Sequence, residues 1–342
     1  MKTVTKHLST LSSFSLKVLF IFILVNRNIL CLAEVRDAEI ETILSEWSNP
    51  IFIVAGLEPK NVKTYIIANP QINAFVAGGQ NMFINTGLIR HAGSANAVIG
   101  VIAHETGHIA AGHLTRTSEA IRQIKQSHFV TTLLGIGTMA LTSIVGNRHI
   151  TSDEGLALLG TGTEFSQRKF LAFTRANERA ADTAALRYLE LTRRSPRALL
   201  GILEKLYGQE LLIEERQDPY VRSHPLTPSR MNHIKSFILQ SSFSDIPESE
   251  KEKEDYLRIS AKLAGFLEPP GRVLMTYPEN NKTISARYAR AIAYHRTPLP
   301  SKSITSINEL INDYPNDPYF HELKGQMYYE RGNPKKAIVS YK

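Results

Sequence analysis

The sequence has one cysteine in 342 residues, Cys31. No disulfide can form within the chain, so the fold rests on a packed core rather than on covalent staples. The chain also lacks any block of lysine and arginine interleaved with aromatics. Its formal charge of +8 owes much to the first 33 residues, where Lys2, Lys6, Lys17 and Arg27 stand without an acid. Beyond them, 36 of the 40 basic side chains face 32 acidic ones, a surplus too mild for a nucleic-acid surface. A comfortable membrane-spanning run is missing too. Leu16 to Val25 is short, and Asn26-Arg27-Asn28 interrupts it. Residues 129–146 carry no charge, but Gly135, Gly137, Thr131, Thr132, Thr138, Thr142 and Ser143 dilute them. The expectation there is a buried or membrane-touching helix pair, with a membrane span as the alternative. A hydrophobic fraction of 43% and a charged fraction of 21% exclude wholesale disorder.

The N-terminus reads as an export signal over residues 1–33. Basic Lys2, Lys6 and Lys17 precede the apolar Leu16 to Val25, and Cys31-Leu32-Ala33 offers a small-residue cleavage site near Ala33. A retained anchor is the alternative. Export without disulfides fits a bacterial periplasm. Ile40, Ile43, Leu44 and Trp47 then recur at helical spacing, and Asn49-Pro50 is expected to stop that helix. Val62 to Ala68, Ile72 to Ala77 and Met82 to Asn85 are short, apolar and bounded by turn residues, so three strands are expected. Ser94 to Thr115 predicts a helix apolar on nearly every face, hence buried. Gly100 and Gly107 inside it each cost about 1 kcal/mol against alanine, so a close-packed strand or a substrate is expected to favour them. The glycine-rich Gly155 to Gly162 precedes a helix from Arg175 to Leu191, closed by Ser195-Pro196.

Beyond Pro269-Pro270-Gly271 the pattern changes. Gly325, Tyr328, Ala337 and Tyr341 match the small, aromatic, small, aromatic spacing of a tetratricopeptide repeat. Stepping back by that repeat's period of about 34 residues lands on Ala291, Tyr294, Ser303 and Ile307. Two registers agree, and Lys342 falls inside the second helix of the second unit, which reads as a truncated array or a stub docked on the preceding domain.

The chemistry-bearing motif is His104-Glu105-Thr106-Gly107-His108. Residues four apart share a helix face, so His104 and His108 can both present imidazole nitrogens to one zinc ion. Glu105 lies beside them, where it can take a proton from the attacking water and pass it to the leaving amine. This pattern arises by chance in roughly a few per cent of chains with 11 histidines in 342 residues. The alternative is a buried helix whose histidines only bond to neighbours, which is costly without a partner for each. Ala111 and Leu114 exclude the third histidine of a metzincin, and His113 lies about half a turn off the ligand face, as a helix-end histidine would. Glu178 is the better third ligand. It shares a face with Asp182, so that one carboxylate can bind zinc while the other accepts a ligand ring N–H. The same pair could equally form a solvated acidic face with Arg175 and Arg179.

His104 to His108, Asn177-Glu178-Arg179-Ala180-Ala181-Asp182 and Ser223-His224-Pro225-Leu226-Thr227-Pro228-Ser229-Arg230 together resemble the peptidase family of the CAAX prenyl proteases and their soluble bacterial relatives. The resemblance covers nearly the whole chain after residue 33, with three separated motifs and the repeats in order. It implies one zinc per chain on His104, His108 and Glu178, with Glu105 as general base and Asp182 behind the ligands. It further implies that His224 can occupy the open coordination position and hold the enzyme inactive. Arg230 would then stabilise the tetrahedral oxyanion. Asn73-Ala74-Phe75 resembles the family's edge strand, where a substrate adds its own backbone hydrogen bonds, although Phe75 reads equally well as core.

The resulting expectation is an α+β, mostly α-helical chain. A gluzincin-type metallopeptidase domain with a small sheet spans residues 34–268, and a short tetratricopeptide-like segment spans 269–342. By resemblance the function is a periplasmic zinc endopeptidase of envelope protein quality control, acting on misfolded or stalled outer-membrane proteins. Its repeats would contact the outer-membrane β-barrel assembly machinery, with peripheral membrane contact and no nucleic acid. The alternative is a chaperone or adaptor repeat protein with a structural or permanently inhibited zinc site.

Overall fold

The computed structural model describes residues 34–113, 173–207, 220, 224–298 and 300–342. The expected export signal, the uncharged stretch 129–146 and Gly155 to Gly162 lie outside the described residues. Helix α1, Ala38–Val54, starts where the Asp37 side chain accepts from the Ile40 N–H at 3.0 Å. It does not stop at Asn49-Pro50 as expected, but runs through Pro50 for another turn. An interior proline costs about 3 kcal/mol. Ile51 and Phe52, both fully buried in that extra turn, each return about 1.5–3 kcal/mol on leaving water, which is enough to carry the helix on.

Three strands follow: β1, Lys63–Ile67; β2, Ala74–Ala77; and β3, Asn81–Asn85. β3 lies between the other two, parallel to β1 and antiparallel to β2, with β2 at the sheet's edge. The register puts Ile66, Ile84 and Ala74 in one row and Met82 with Val76 in the next, all facing the core. The opposite face carries Tyr65, Phe83 and Phe75 in a half-buried ladder, with ring centroids 5.1 and 5.0 Å apart. Phe75 is therefore neither core nor isolated; it closes an aromatic row at the edge strand.

Helix α2 is Thr86–His91 and α3 is Ala95–Ala110, the latter capped by Ser94, whose side chain accepts from the Ala97 N–H. Every residue of α3 from Ala95 to Ile109 is buried, as its apolar circumference predicts. The helix over residues 173–191 (α4) and α5, Arg197–Tyr207, pack on it. These two helices, not a strand or a substrate, explain the glycines. A Cβ on Gly100 would lie 2.9 Å from Leu199 Cβ, and one on Gly107 would lie 2.9 Å from the Ala181 carbonyl oxygen. Helix α6, Pro228–Ile238, has Thr227 as its cap and Pro228 in its first turn.

Helix α7, Glu250–Leu267, opens with a capping box of Ser249 and Glu252. It is followed by α8, Pro270–Thr276, and by two helical hairpins: α9, Ile284–His295, with α10, Pro300–Asp313; and α11, Pro318–Glu330, with α12, Pro334–Tyr341. Each helix of the second hairpin begins 34 residues after its counterpart. Ala291 and Gly325 thus hold the same place in their helices, and so do Ser303 and Ala337. One core extends from α1 through the sheet and α3 to α7, and a second, around Tyr288, Ile307 and Phe320, fills the hairpins. Among the described residues no helix is long and apolar enough to cross a membrane.

Candidate metal centre

The close approach that Gly107 permits brings α4 against α3 beside His108 and one turn from His104. Glu178 on α4 then meets both rings, with Oε2 3.3 Å from His104 Nε2 and Oε1 3.3 Å from His108 Nε2. The two Nε2 atoms are 3.1 Å apart. His224, just ahead of α6, puts Nδ1 3.1 Å from Glu178 Oε2 and Nε2 3.4 Å from Glu105 Oε1. Donor atoms of His104, His108, Glu178 and His224 all lie within 4.8 Å of one another, and all four residues are buried.

This donor set fits a zinc ion. Ligand atoms about 2.0–2.1 Å from a tetrahedral ion are about 3.3 Å from each other, which is close to the separations among His104, His108 and Glu178. Imidazole nitrogen with one carboxylate oxygen is a borderline-soft set suited to zinc. The Glu105 carboxylate is fully buried, and neither of its oxygens has a hydrogen-bond partner among the described residues. A buried carboxylate left so is expensive unless water or a cation answers it.

The surroundings orient the donors. Asp182 Oδ1 lies 2.9 Å from Nδ1 of His104, the ring nitrogen turned away from the cluster. Arg230 donates to both Asp182 oxygens, from Nε at 2.7 Å and Nη2 at 2.8 Å. Its Nη1 lies 3.0 Å from Glu178 Oε2 and donates to the Pro225 carbonyl at 2.8 Å. All three guanidinium nitrogens thus have partners within the protein. His113, expected as a helix-end residue, is buried with Nδ1 3.0 Å from Nδ1 of His108. Tyr220 stacks on His224 with centroids 4.6 Å apart. Sequence reasoning missed both contacts; the i to i+4 spacing of Tyr220 and His224 was the only local signal for the second.

Electrostatics follow the geometry. Burial pulls the His104 imidazole down, but Asp182 and Glu178 overcome it and bring its pKa to about 10. Burial dominates at His108 and takes it to about 3. Burial would raise Glu178, yet His224, His104 and His108 hold it ionised, well below the carboxylate range. Burial raises Glu105, against His224 and His104.

The sequence model of peptidase family M48 matches residues 34–238. The chain is similar to the β-barrel assembly-enhancing protease of Yersinia pestis, 23% identical over 266 residues, covering 76% of this chain and 52% of that protein. The Escherichia coli K12 protein of the same name is 28% identical over 214 residues, covering 59% and 42%. Metalloprotease LoiP of Escherichia coli K12 is 29% identical over 178 residues, covering 52% and 62%. The chain spans about half the length of the first two.

Proposed function

This chain belongs to peptidase family M48, and we propose that it is a zinc-dependent endopeptidase hydrolysing misfolded or stalled outer-membrane proteins in the periplasm. The observation that carries the reading is the convergence of His104, His108 and Glu178 beside a buried Glu105 whose oxygens accept no hydrogen bond among the described residues. A zinc ion held by those three residues supplies Lewis-acid chemistry, lowering the pKa of water and polarising the scissile carbonyl. Glu105 takes the proton of the attacking water and delivers it to the leaving amine. Its upward shift suits a base that must later act as an acid near neutral pH. Asp182 Oδ1, 2.9 Å from Nδ1 of His104, is the partner that would fix that ring's tautomer. Arg230 acts through Asp182 and Glu178 as a positioning residue, and the resemblance adds the oxyanion-stabilising role to it. His224 is the fourth donor of the cluster and holds the resting enzyme latched.

The outer-membrane assignment draws on the name that two relatives carry, β-barrel assembly-enhancing protease. An extended polypeptide would pair with the edge of β2 that no strand covers among the described residues. The helical hairpins recur every 34 residues, the period of a tetratricopeptide repeat, and would dock the assembly machinery. The test is zinc content and casein proteolysis of wild type, Glu105→Gln and His224→Ala. One zinc per chain, activity lowered at least about 10²-fold by the first change and raised by the second, is expected. Zinc without proteolysis in all three proteins, the unlatched one included, would falsify the enzyme reading.

A further inference from the structure

His224 is packed in two different ways. It meets His104 and His108 edge-on, with centroids 5.3 and 5.2 Å away and interplanar angles of 77° and 61°. Tyr220 meets it face to face, at 4.6 Å and 28°. The two residues are also tied through the backbone, since the His224 N–H donates to the Tyr220 carbonyl at 2.8 Å. Tyr220 is 1% exposed, so its ring is held by its own surroundings. His224 comes from outside α3 and α4, the helices that carry the other three donors, and has no helix of its own at its backbone. For it to leave the cluster, its ring must slide off the Tyr220 face or draw that ring out of burial.

We propose that Tyr220 is a positioning residue whose ring face holds His224 in the cluster, so that occupancy of the fourth donor position is set from outside the ligand set. This rests on the preceding reading of His224 as the closing donor. The contact is one of ring faces, which separates the role of the ring from that of the hydroxyl. Phenylalanine at position 220 retains it and an aliphatic side chain does not. Offset aromatic pairs contribute enough to shift the latched-to-open ratio by about three- to tenfold.

The experiment loads the whole chain with cobalt(II) and records visible absorption, with casein proteolysis of the zinc-loaded protein alongside. The proteins are wild type, His224→Ala, Tyr220→Leu, Tyr220→Phe and the Tyr220→Leu/His224→Ala double variant, with Tyr220→Met read in place of Leu if the latter does not fold. The spectrum of Tyr220→Leu is expected to move toward that of His224→Ala, and its proteolysis to rise about three- to tenfold. Tyr220→Phe keeps the wild-type spectrum and rate, and Tyr220→Leu adds nothing once His224 is gone. If His224→Ala differs from wild type while Tyr220→Leu does not, the Tyr220 proposal fails and the latch stands. A phenylalanine variant that behaves like leucine overturns the ring-face argument. If His224→Ala matches wild type in both readouts, latch and proposal fall together.

Discussion

Three carboxylates meet at the metal centre, and each differs in what surrounds it. Glu178 touches three imidazoles and a guanidinium, Asp182 one imidazole and the same guanidinium, and Glu105 only the His224 imidazole, at 3.4 Å and without a hydrogen bond among the described residues. The two paired ones stay ionised, Asp182 at a pKa of about 2 despite its burial, because Arg230 and His104 oppose that burial. This predicts distinct losses. Asp182→Asn removes the charge that orients His104 while keeping the side chain's shape, and zinc affinity should fall about 10- to 100-fold in competition against a chelator. Unchanged affinity would mean that His104 needs no orienting partner. The pair His104 and His108 was legible from sequence because four residues on a helix return to one face. Arg230 and Asp182 are 48 residues apart, and nothing local announces that their side chains meet. A motif match suggested where Arg230 lies, but only the geometry assigns its nitrogens to Asp182 and Glu178.

At the level of elements, the site depends on how closely α4 can approach α3. The helices themselves were legible from apolar periodicity, and so were the three short strands. What the pattern could not supply was the partner of each face, and for that reason Gly100 and Gly107 were assigned to a strand or a substrate. The glycines make a paired prediction. Gly107→Ala gains helix propensity of about 1 kcal/mol. The new Cβ would press on Ala181 at 2.9 Å, and overpacking of this kind costs about 1–3 kcal/mol. The clash should win, lowering stability in urea and weakening zinc binding, because Glu178 and Asp182 flank Ala181 on α4. Gly201 on α5 is exposed, and no atom of the described residues lies within 4 Å of its Cβ position. Gly201→Ala should therefore stabilise the chain by up to about 1 kcal/mol and leave zinc affinity alone. Opposite signs from the same substitution would separate packing from propensity; equal signs would show that α4 can yield. Pro50 teaches the same lesson in reverse, since burial of Ile51 and Phe52 outweighed a local stop signal.

Across the whole molecule, the peptidase core and the hairpins meet along α7, and the joint is ionic as well as apolar. Tyr256, Ile259 and Leu263 face the first core, while Gly265 lets Ile292 of α9 approach to where a Cβ would lie at 2.8 Å. Between them, Lys262 contacts Asp37 at 2.7 Å and Glu39 at 2.9 Å, and Arg258 pairs with Glu39 and with Asp317 at 2.6 Å. Asp37 and Asp317 are the caps of α1 and α11, so two basic residues of α7 tie the first turn of the peptidase domain to the second hairpin. Glu39 is fully buried, and removing Arg258 leaves it short of a partner. Lys262 and the Tyr288 hydroxyl still hold Glu39, so Arg258→Met should cost about 1.5–3 kcal/mol in urea unfolding, and adding Glu39→Gln should recover part of that loss. Titration gives a second, independent prediction. Burial lowers the Lys262 pKa, but Glu39 and Asp37 raise it further, to a net value above the ordinary 10.5. A raised lysine binds its proton more tightly folded than unfolded, so its contribution is complete below 10.5 and disappears as pH climbs through the folded value. The wild-type urea midpoint should fall more steeply than that of Lys262→Met above about pH 10. If the two curves stay parallel there, the ammonium contributes nothing to the joint, and the coupling of hairpins to peptidase core rests on Arg258 and the apolar contacts of α7 alone.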